Sequence, residues 1–227
     1  MTDEILLPSI FEDSVEAGFT TRTFADADVP LDEVRTRVGE RVGMPVASVG
    51  QVHRAGVVVV REGGHVDAHD GLVTDTPGLL LTVIAADCAL VLLADAEAGV
   101  AGACHSGWRG TVAGVAQETV RSMQRLGASA DRIRAYVAPC ISAEAFEVGE
   151  EVAAEFDEAV VKRRNDWPRP HVDLRAELER QLASSGVLAR HVEVSDGCTI
   201  RDNDRFYSYR AEGGTPGRMV GFVGLRA

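Results

Sequence analysis

The apolar positions change period several times along the chain. In "VPLDEVRTRVGERVG" Leu31, Val34, Val38 and Val42 fall on one helical face, and Gly43 followed by Pro45 supplies a stop. "ASVGQVH" and "GVVVVRE" then read as short strands, the second almost wholly apolar as a buried strand is. Residues 79–105 repeat that texture in "LLLTVIA", "ALVLLAD" and "VAGAC", separated by the break "ADC" and the turn "AEAG". This predicts three central strands, the last running into His105. From Thr111 the period turns helical: Val112, Val115, Ala116, Thr119, Val120 and Met123 share a face and Gly127 ends it, which predicts a helix over 111–126.

Further on, "IRAYVAPC" reads as a strand, "FEVGEEVAAEF" opens a helix, and "DLRAELERQLASSG" is a helix with Asp173 as its N-cap. "HVEVS" and "RMVGFVGL" supply late strands, and "KRRNDWPRP" at 162–170 reads as a surface loop. Strands alternating with helices predict an α/β protein. With 227 residues and no internal repeat or low-complexity tract, one domain over 1–227 is expected.

Composition narrows the function classes. A formal net charge of −12 repels phosphate backbones, so no nucleic-acid partner is expected, while a small anionic ligand in a local basic pocket remains allowed. The longest apolar run, "GLLLTVIAA", is far shorter than the roughly 20 residues of a spanning helix. The acidic start "MTDEILLPSI" lacks the basic region of a signal peptide. The expectation is a cytoplasmic protein with no membrane partner. Cys88, Cys104, Cys140 and Cys198 form no CxxC pair, and their default reading is as small buried hydrophobes.

The candidate chemistry lies at strand ends. "ACHSGWRG" puts His105 where a buried strand gives way to a helix, a corner where backbone N–H groups point outward. Side chains alternate along a strand, so if His105 faces a site, Cys104 faces the core and is structural. Asp87 and Cys88 interrupt two strands that hold nothing else ionisable until Asp95, and a buried carboxylate there needs a partner. His53 in "QVH", Cys88 and His105 together offer two imidazoles and a thiolate, a donor set known in catalytic zinc sites. The spacing leaves three readings open: a metal site, a Cys–His hydrolase dyad, and structural roles.

The segments "QVH", "DGLVT", "LTVIAADCALVLLAD", "CHSGWRGTVAGV", "FEVGEEV", "VDL", "CT" and "FYSYRAEGGTPGRM" add a second kind of argument. In their order and spacing they resemble the YfiH/laccase-domain family, also called polyphenol oxidase or peptidoglycan editing factor proteins. The resemblance spans nearly the whole chain, and its most specific parts are the ADC and H-x-GWRG segments. It implies a four-layer α/β/β/α arrangement with mixed sheets. It also implies that His53, Cys88 and His105 bind a metal, zinc or in older descriptions copper. The activities implied are phosphorolysis of adenosine, inosine, guanosine or methylthioadenosine, and deamination of adenosine. A cell-wall precursor hydrolase is the alternative, and laccase the oldest label. A multicopper oxidase needs several copper sites, whereas this chain has six histidines and one plausible cluster, so laccase activity ranks last.

Under that resemblance the reactants are a purine nucleoside and phosphate. Cys88, His105 and Asp87 are the expected catalytic residues, with Asp87 a proton carrier and a metal-activated water the attacking group in deamination. Arg22, Arg109 and Arg210 are the expected phosphate-binding residues, since guanidinium forks match phosphate oxygens. In the competing hydrolase Cys88 attacks an amide and His105 activates it. Three segments depart from the family pattern. "GFTTRTFAD" keeps Arg22 but loses paired glycines, "APCIS" has Ala138 and Ser142 for glycines, and "YRAEGG" lacks a second arginine. Substrate choice and the phosphate clamp are where these changes bear.

The other chemistry-bearing residues have ordinary readings. Trp108 reads as packing. His65 and His69 sit among glycines and read as a loop, not a second metal site. His171 and His191 read as surface or strand-edge residues. Tyr207 and Tyr209, placed in a late hairpin, either line a purine pocket or belong to the core.

Overall fold

Every residue of the strand Ala89–Asp95 is buried, and its two faces feed different cores. Leu90, Leu92 and Ala94 point into one cluster, Ala89, Val91 and Leu93 into another. A strand with two dry faces needs a layer on each side. In the computed structural model, which describes residues 4–214 and 217–227, those layers are a second sheet and a set of helices. Thr215 and Pro216 of the "FYSYRAEGGTPGRM" segment, and the first three residues of "MTDEILLPSI", lie outside the described residues.

The strands in chain order are β1 Ile5–Leu6, β2 Val15–Thr20, β3 Val46–Val49, β4 Val57–Val59, β5 Gly64–Val66, β6 Gly71–Thr74 and β7 Leu80–Ala85. They continue as β8 Ala89–Asp95, β9 Val100–Ser106, β10 Arg134–Val137, β11 Val161–Lys162, β12 His171–Val172, β13 Val192–Val194 and β14 Met219–Leu225. One six-stranded sheet runs β1-β2-β14-β7-β3-β5 and the other β13-β10-β8-β9-β6-β4, while β11 and β12 form a separate ladder. Both large sheets are mixed: β14 pairs antiparallel with β2 and β7, β3 parallel with β7, β8 antiparallel with β9 and β10, and β4 parallel with β6.

The sheets face each other across Phe19, Leu81, Val83 and Val223 of the first and Leu72, Leu90, Leu92 and Ala103 of the second. Helix α1, Leu31–Val42, covers the outer face of the first sheet through Val34 and Val38, against Leu80, Val220 and Phe222. The outer face of the second is covered by α3, Val115–Arg125, and α5, Leu174–Ser184, which share a core with Val73, Val91 and Cys104. The result is the expected α/β/β/α order. Gly102 of β9 lets α3 approach closely, since a Cβ there would lie 2.8 Å from the Met123 sulfur. Among the described residues no helix is long and apolar enough to cross a membrane.

Several local expectations need correction. The helix expected over 111–126 is two helices: α2, Trp108–Val112, and α3, parted at Gly114, which has φ +77°. That left-handed turn frees α2 to start directly after the His105 strand. Asp173 caps α5 as expected, accepting from the Ala176 N–H. The "FEVGEEV" helix is short, α4, Glu150–Ala153. Tyr209 lies in a helix, α6, Tyr209–Glu212, and not in a hairpin; the Ser208 hydroxyl caps it by accepting from the Ala211 N–H. Glu212 in turn accepts from the Ser208 N–H, so "SYRAE" is a capping arrangement. His65 lies in β5 instead of a loop. His171 is buried, stacked on Trp167 with ring centroids 3.8 Å apart, and its Nδ1 meets the Ala143 carbonyl.

Candidate metal centre

β9 alternates as its neighbours do. Cys104 points into the helix-side core, where burial raises its thiol to about 12, and His105 points the other way. The next residue but one decides what His105 can meet. A Cβ on Gly107 would lie 2.8 Å from the Cys88 sulfur and 3.2 Å from the His53 ring, so only glycine leaves room there. Cys88 is delivered by the short crossing between β7 and β8, and His53 by the turn after β3. The ligating atoms of His53, Cys88 and His105 all lie within 4.8 Å of one another, and the two rings meet edge to face with centroids 4.8 Å apart.

Asp70, which the sequence reading passed over, holds this arrangement. It is fully buried. Its Oδ1 accepts from the His53 N–H at 2.9 Å and meets His105 Nδ1 at 2.9 Å, and its Oδ2 accepts from the N–H groups of Val52 at 3.1 Å and Arg54 at 2.7 Å. Three consecutive amides on one carboxylate fix the turn that carries His53, a residue with φ +59°. The Asp70 carbonyl also accepts from the His105 N–H. Burial would raise the Asp70 carboxyl, but the His105 ring and the Arg54 and Val52 amides outweigh it and hold it below the usual range. Occupying Nδ1 of His105 leaves Nε2 as the ligating atom, the familiar carboxylate–histidine–metal relationship.

The electrostatics follow from these contacts. Burial alone would raise the Cys88 thiol; the His105 and His53 rings outweigh it and bring it down to about 6. Burial would lower His105, but the Asp70 carboxylate and the Cys88 sulfur push it up to about 9. Two imidazoles and a thiolate suit a borderline-soft divalent ion such as zinc and leave an open position; with tetrahedral bonds of about 2.0–2.3 Å the ion would draw the three donors to about 3.5 Å apart. Among the described residues no other group of three His, Cys, Asp or Glu side chains converges in this way.

The cluster forms part of the wall of a cavity of about 590 Å³ whose surface is mostly apolar, with Val49, Ile84, Phe146 and Leu174 among its walls. Asp87 also lines it, with φ +88°, and accepts from the Thr199 hydroxyl at 2.6 Å and the Arg210 N–H at 2.7 Å. Arg210 lines the cavity and donates to the Glu147 carbonyl. The other two expected arginines do not line it. Arg22 donates to Glu212 at 2.6 Å and lies over the Tyr207 ring, and Arg109 is exposed over the Trp108 ring. Tyr207 is core, its hydroxyl donating to the Ala25 carbonyl, while Tyr209 and Trp108 line the cavity.

Comparison with known proteins fixes the lineage. The profile of the family described as multi-copper polyphenol oxidoreductase laccase matches residues 12–226. The chain belongs to this family. This laccase-domain protein is 41% identical over 217 residues to a purine nucleoside phosphorylase of Deinococcus radiodurans, covering 92% of this chain and 83% of that one. It is 38% identical over 162 residues to the adenosine deaminase RL5 of an unknown prokaryotic organism, 69% of this chain and 61% of the other. The crystal structure of YlmD from Geobacillus stearothermophilus superposes on the laccase-domain chain with a TM-score of 0.89 at 27% identity, covering 100% and 98% of the two chains.

Proposed function

We propose that this laccase-domain protein is a zinc-dependent purine nucleoside enzyme that phosphorolyses adenosine, inosine, guanosine or methylthioadenosine and also deaminates adenosine. The observation that carries the reading is the His53–Cys88–His105 cluster set in the wall of a large, mostly apolar cavity. The enzyme class agrees with relatives named purine nucleoside phosphorylase and adenosine deaminase. Bound by these three residues, zinc supplies Lewis acidity and a lowered pKa for a coordinated water.

The protein's own groups do the rest. The apolar walls take the flat purine and exclude water. Arg210 lines the cavity where phosphate, as the second reactant, is to be held in line with the sugar. Phosphorolysis forms a bond from a phosphate oxygen to the anomeric carbon while the N-glycosidic bond breaks, and the departing purine nitrogen needs a proton. Asp87, the carboxylate among the residues lining the cavity, takes a proton from the attacking phosphate and passes it to that nitrogen. A carboxylate has about four acceptor positions, so the bonds from Thr199 and Arg210 leave it capacity for the transfer. Arg22 acts one step removed, bracing through Glu212 the helix that bears Arg210.

One observation favours a second reading. Asp70, His105 and Cys88 form an orienter, base and nucleophile in sequence, with the thiol already depressed to about 6. That is a cysteine hydrolase, and an amide in a cell-wall precursor is its substrate. A copper polyphenol oxidase is disfavoured, because the described residues offer one three-residue cluster where several copper sites are needed.

The deciding experiment purifies the protein, quantifies bound zinc and copper, and follows adenosine, inosine and methylthioadenosine by chromatography with and without phosphate. About one zinc per chain, phosphate-dependent release of free base and conversion of adenosine to inosine are expected. No release of base under saturating phosphate and no inosine would sink the nucleoside reading. Amino-acid release from a UDP-linked muramyl precursor by metal-free protein, with an adduct on Cys88, would install the hydrolase.

A further inference from the structure

The end of the cavity nearest α1 holds a buried cation that the reaction above does not use. Arg35 lines the cavity from α1 together with Leu31, and its exposure is 6%. Among the described residues its guanidinium has one partner, Asp32, which accepts from Nη1 at 3.0 Å and whose own side chain is 92% exposed. Nε is buried and has no acceptor. A guanidinium carries five N–H donors, and leaving them unmatched out of water is costly.

Gln51 and His65, which line the same cavity, already have partners of their own. Both ends of the Gln51 amide are bonded to the Ile84 backbone, at 2.8 and 2.9 Å. His65 Nδ1 is engaged by the Ser48 hydroxyl at 2.9 Å. Leu31 and Ile84, which belong to the cluster under α1, give this end an apolar wall suited to a heteroaromatic ring. Ile84 is four residues from Cys88, so the chain separates this end from the thiolate by at most about 14 Å. In the orientation for phosphorolysis, with the sugar toward the metal cluster and Asp87, the base is free to reach toward Arg35.

We propose that Arg35 is the residue that reads the purine, selecting 6-oxopurines over 6-aminopurines for phosphorolysis. This rests on the nucleoside reading above. The O6 and N7 atoms of guanine and hypoxanthine are adjacent acceptors that match a guanidinium fork, whereas adenine offers N7 beside an amino donor that would face the cation. Asp32 already pairs the charge, so the unspent donors call for neutral acceptors and not for a second anion.

The test compares wild type, Arg35→Met and Arg35→Lys in the metal-loaded protein. One readout is phosphorolysis of inosine and of adenosine; the other is equilibrium binding of hypoxanthine and adenine, which needs no turnover. Removing the fork is expected to lower the inosine-to-adenosine ratio of kcat/KM, and the hypoxanthine-to-adenine affinity ratio, by about tenfold or more, the discrimination of one bidentate pair. Arg35→Lys keeps the charge and loses the fork, so it gives the same direction with a smaller change and decides the matter if Arg35→Met fails to fold. Parallel loss on both substrates, or ratios within twofold of wild type, would overturn the assignment. If wild type turned over no nucleoside yet bound hypoxanthine in an Arg35-dependent way, the phosphorylase reading would fall and the base-reading role would stand.

Discussion

Replacing Asp70 by asparagine tests whether the site is held from behind. The carboxylate meets four donors, two on each oxygen. An asparagine that keeps its oxygen toward His53 and His105 turns its amide nitrogen on the Val52 and Arg54 N–H groups and leaves both without an acceptor. At about 1–3 kcal/mol for each buried unmatched donor the cost is about 4 kcal/mol. For a chain of this size that is about 8–16 °C in Tm. Metal affinity should fall about 10- to 100-fold as well, because His105 loses the carboxylate that fixes its ring. Thermal unfolding by circular dichroism reads the first effect and competition with a chromophoric chelator the second. Asp95→Asn is the control. Asp95 is also a buried carboxylate, accepting from the Ala98 and Ser129 N–H groups and pairing with Arg132, but it lies away from the cluster. Its variant should lose stability and keep the metal. If Asp70→Asn bound metal within twofold of wild type while unfolding as early as Asp95→Asn, the carboxylate would be only a loop brace.

Cys104→Ser should cost about 1–2 kcal/mol in thermal unfolding and leave bound metal and turnover unchanged, since its sulfur packs in the helix-side core, whereas Cys88→Ser should lose the metal. The opposite outcome would mean that β9 has the other phase. In metal-free protein, alkylation of Cys88 by iodoacetamide should be half-maximal near pH 6 and fall below it, because the thiol lowered to about 6 is protonated there. A midpoint near that of an ordinary thiol would show that the imidazoles do not stabilise the sulfur anion.

The periodic segments were legible in the chain, whereas the layer order came from the family resemblance and not from the apolar spacing. β8, α1 and α5 lie where apolar spacing put them, and the Cys104–His105 alternation assigned both side chains correctly. What was missed depends on contacts between distant segments. Asp70 stands in "EGGHVDAHDG", which reads as a polar loop; its partners lie 16 to 18 residues before it and 35 after it, and no local pattern joins them. The division of the 111–126 segment did have a local signal, Gly114 inside an otherwise regular apolar period, which the longer period masked. The α6 helix had one too, in the serine and glutamate of "SYRAE". Arg22 and Arg109 share the sequence neighbourhood of the site but spend their guanidinium groups on Glu212, Tyr207 and Trp108, a partition that only tertiary packing decides.

The three ligand-bearing segments belong to different halves of the sandwich. His53 follows β3 of the first sheet, His105 stands next to last in β9 of the second, and Cys88 sits on the short segment by which the chain passes from β7 in one sheet to β8 in the other. An ion held by all three is a rivet through both sheets at one rim. Shear between the sheets would change the donor separations directly, so resistance to sliding and affinity for the ion are one mechanical property. Stripping the ion should loosen this rim first, and amide exchange should rise around the 50–54 turn and the 86–88 crossing while the opposite rim, where β8 and β9 are joined by a tight turn, stays protected.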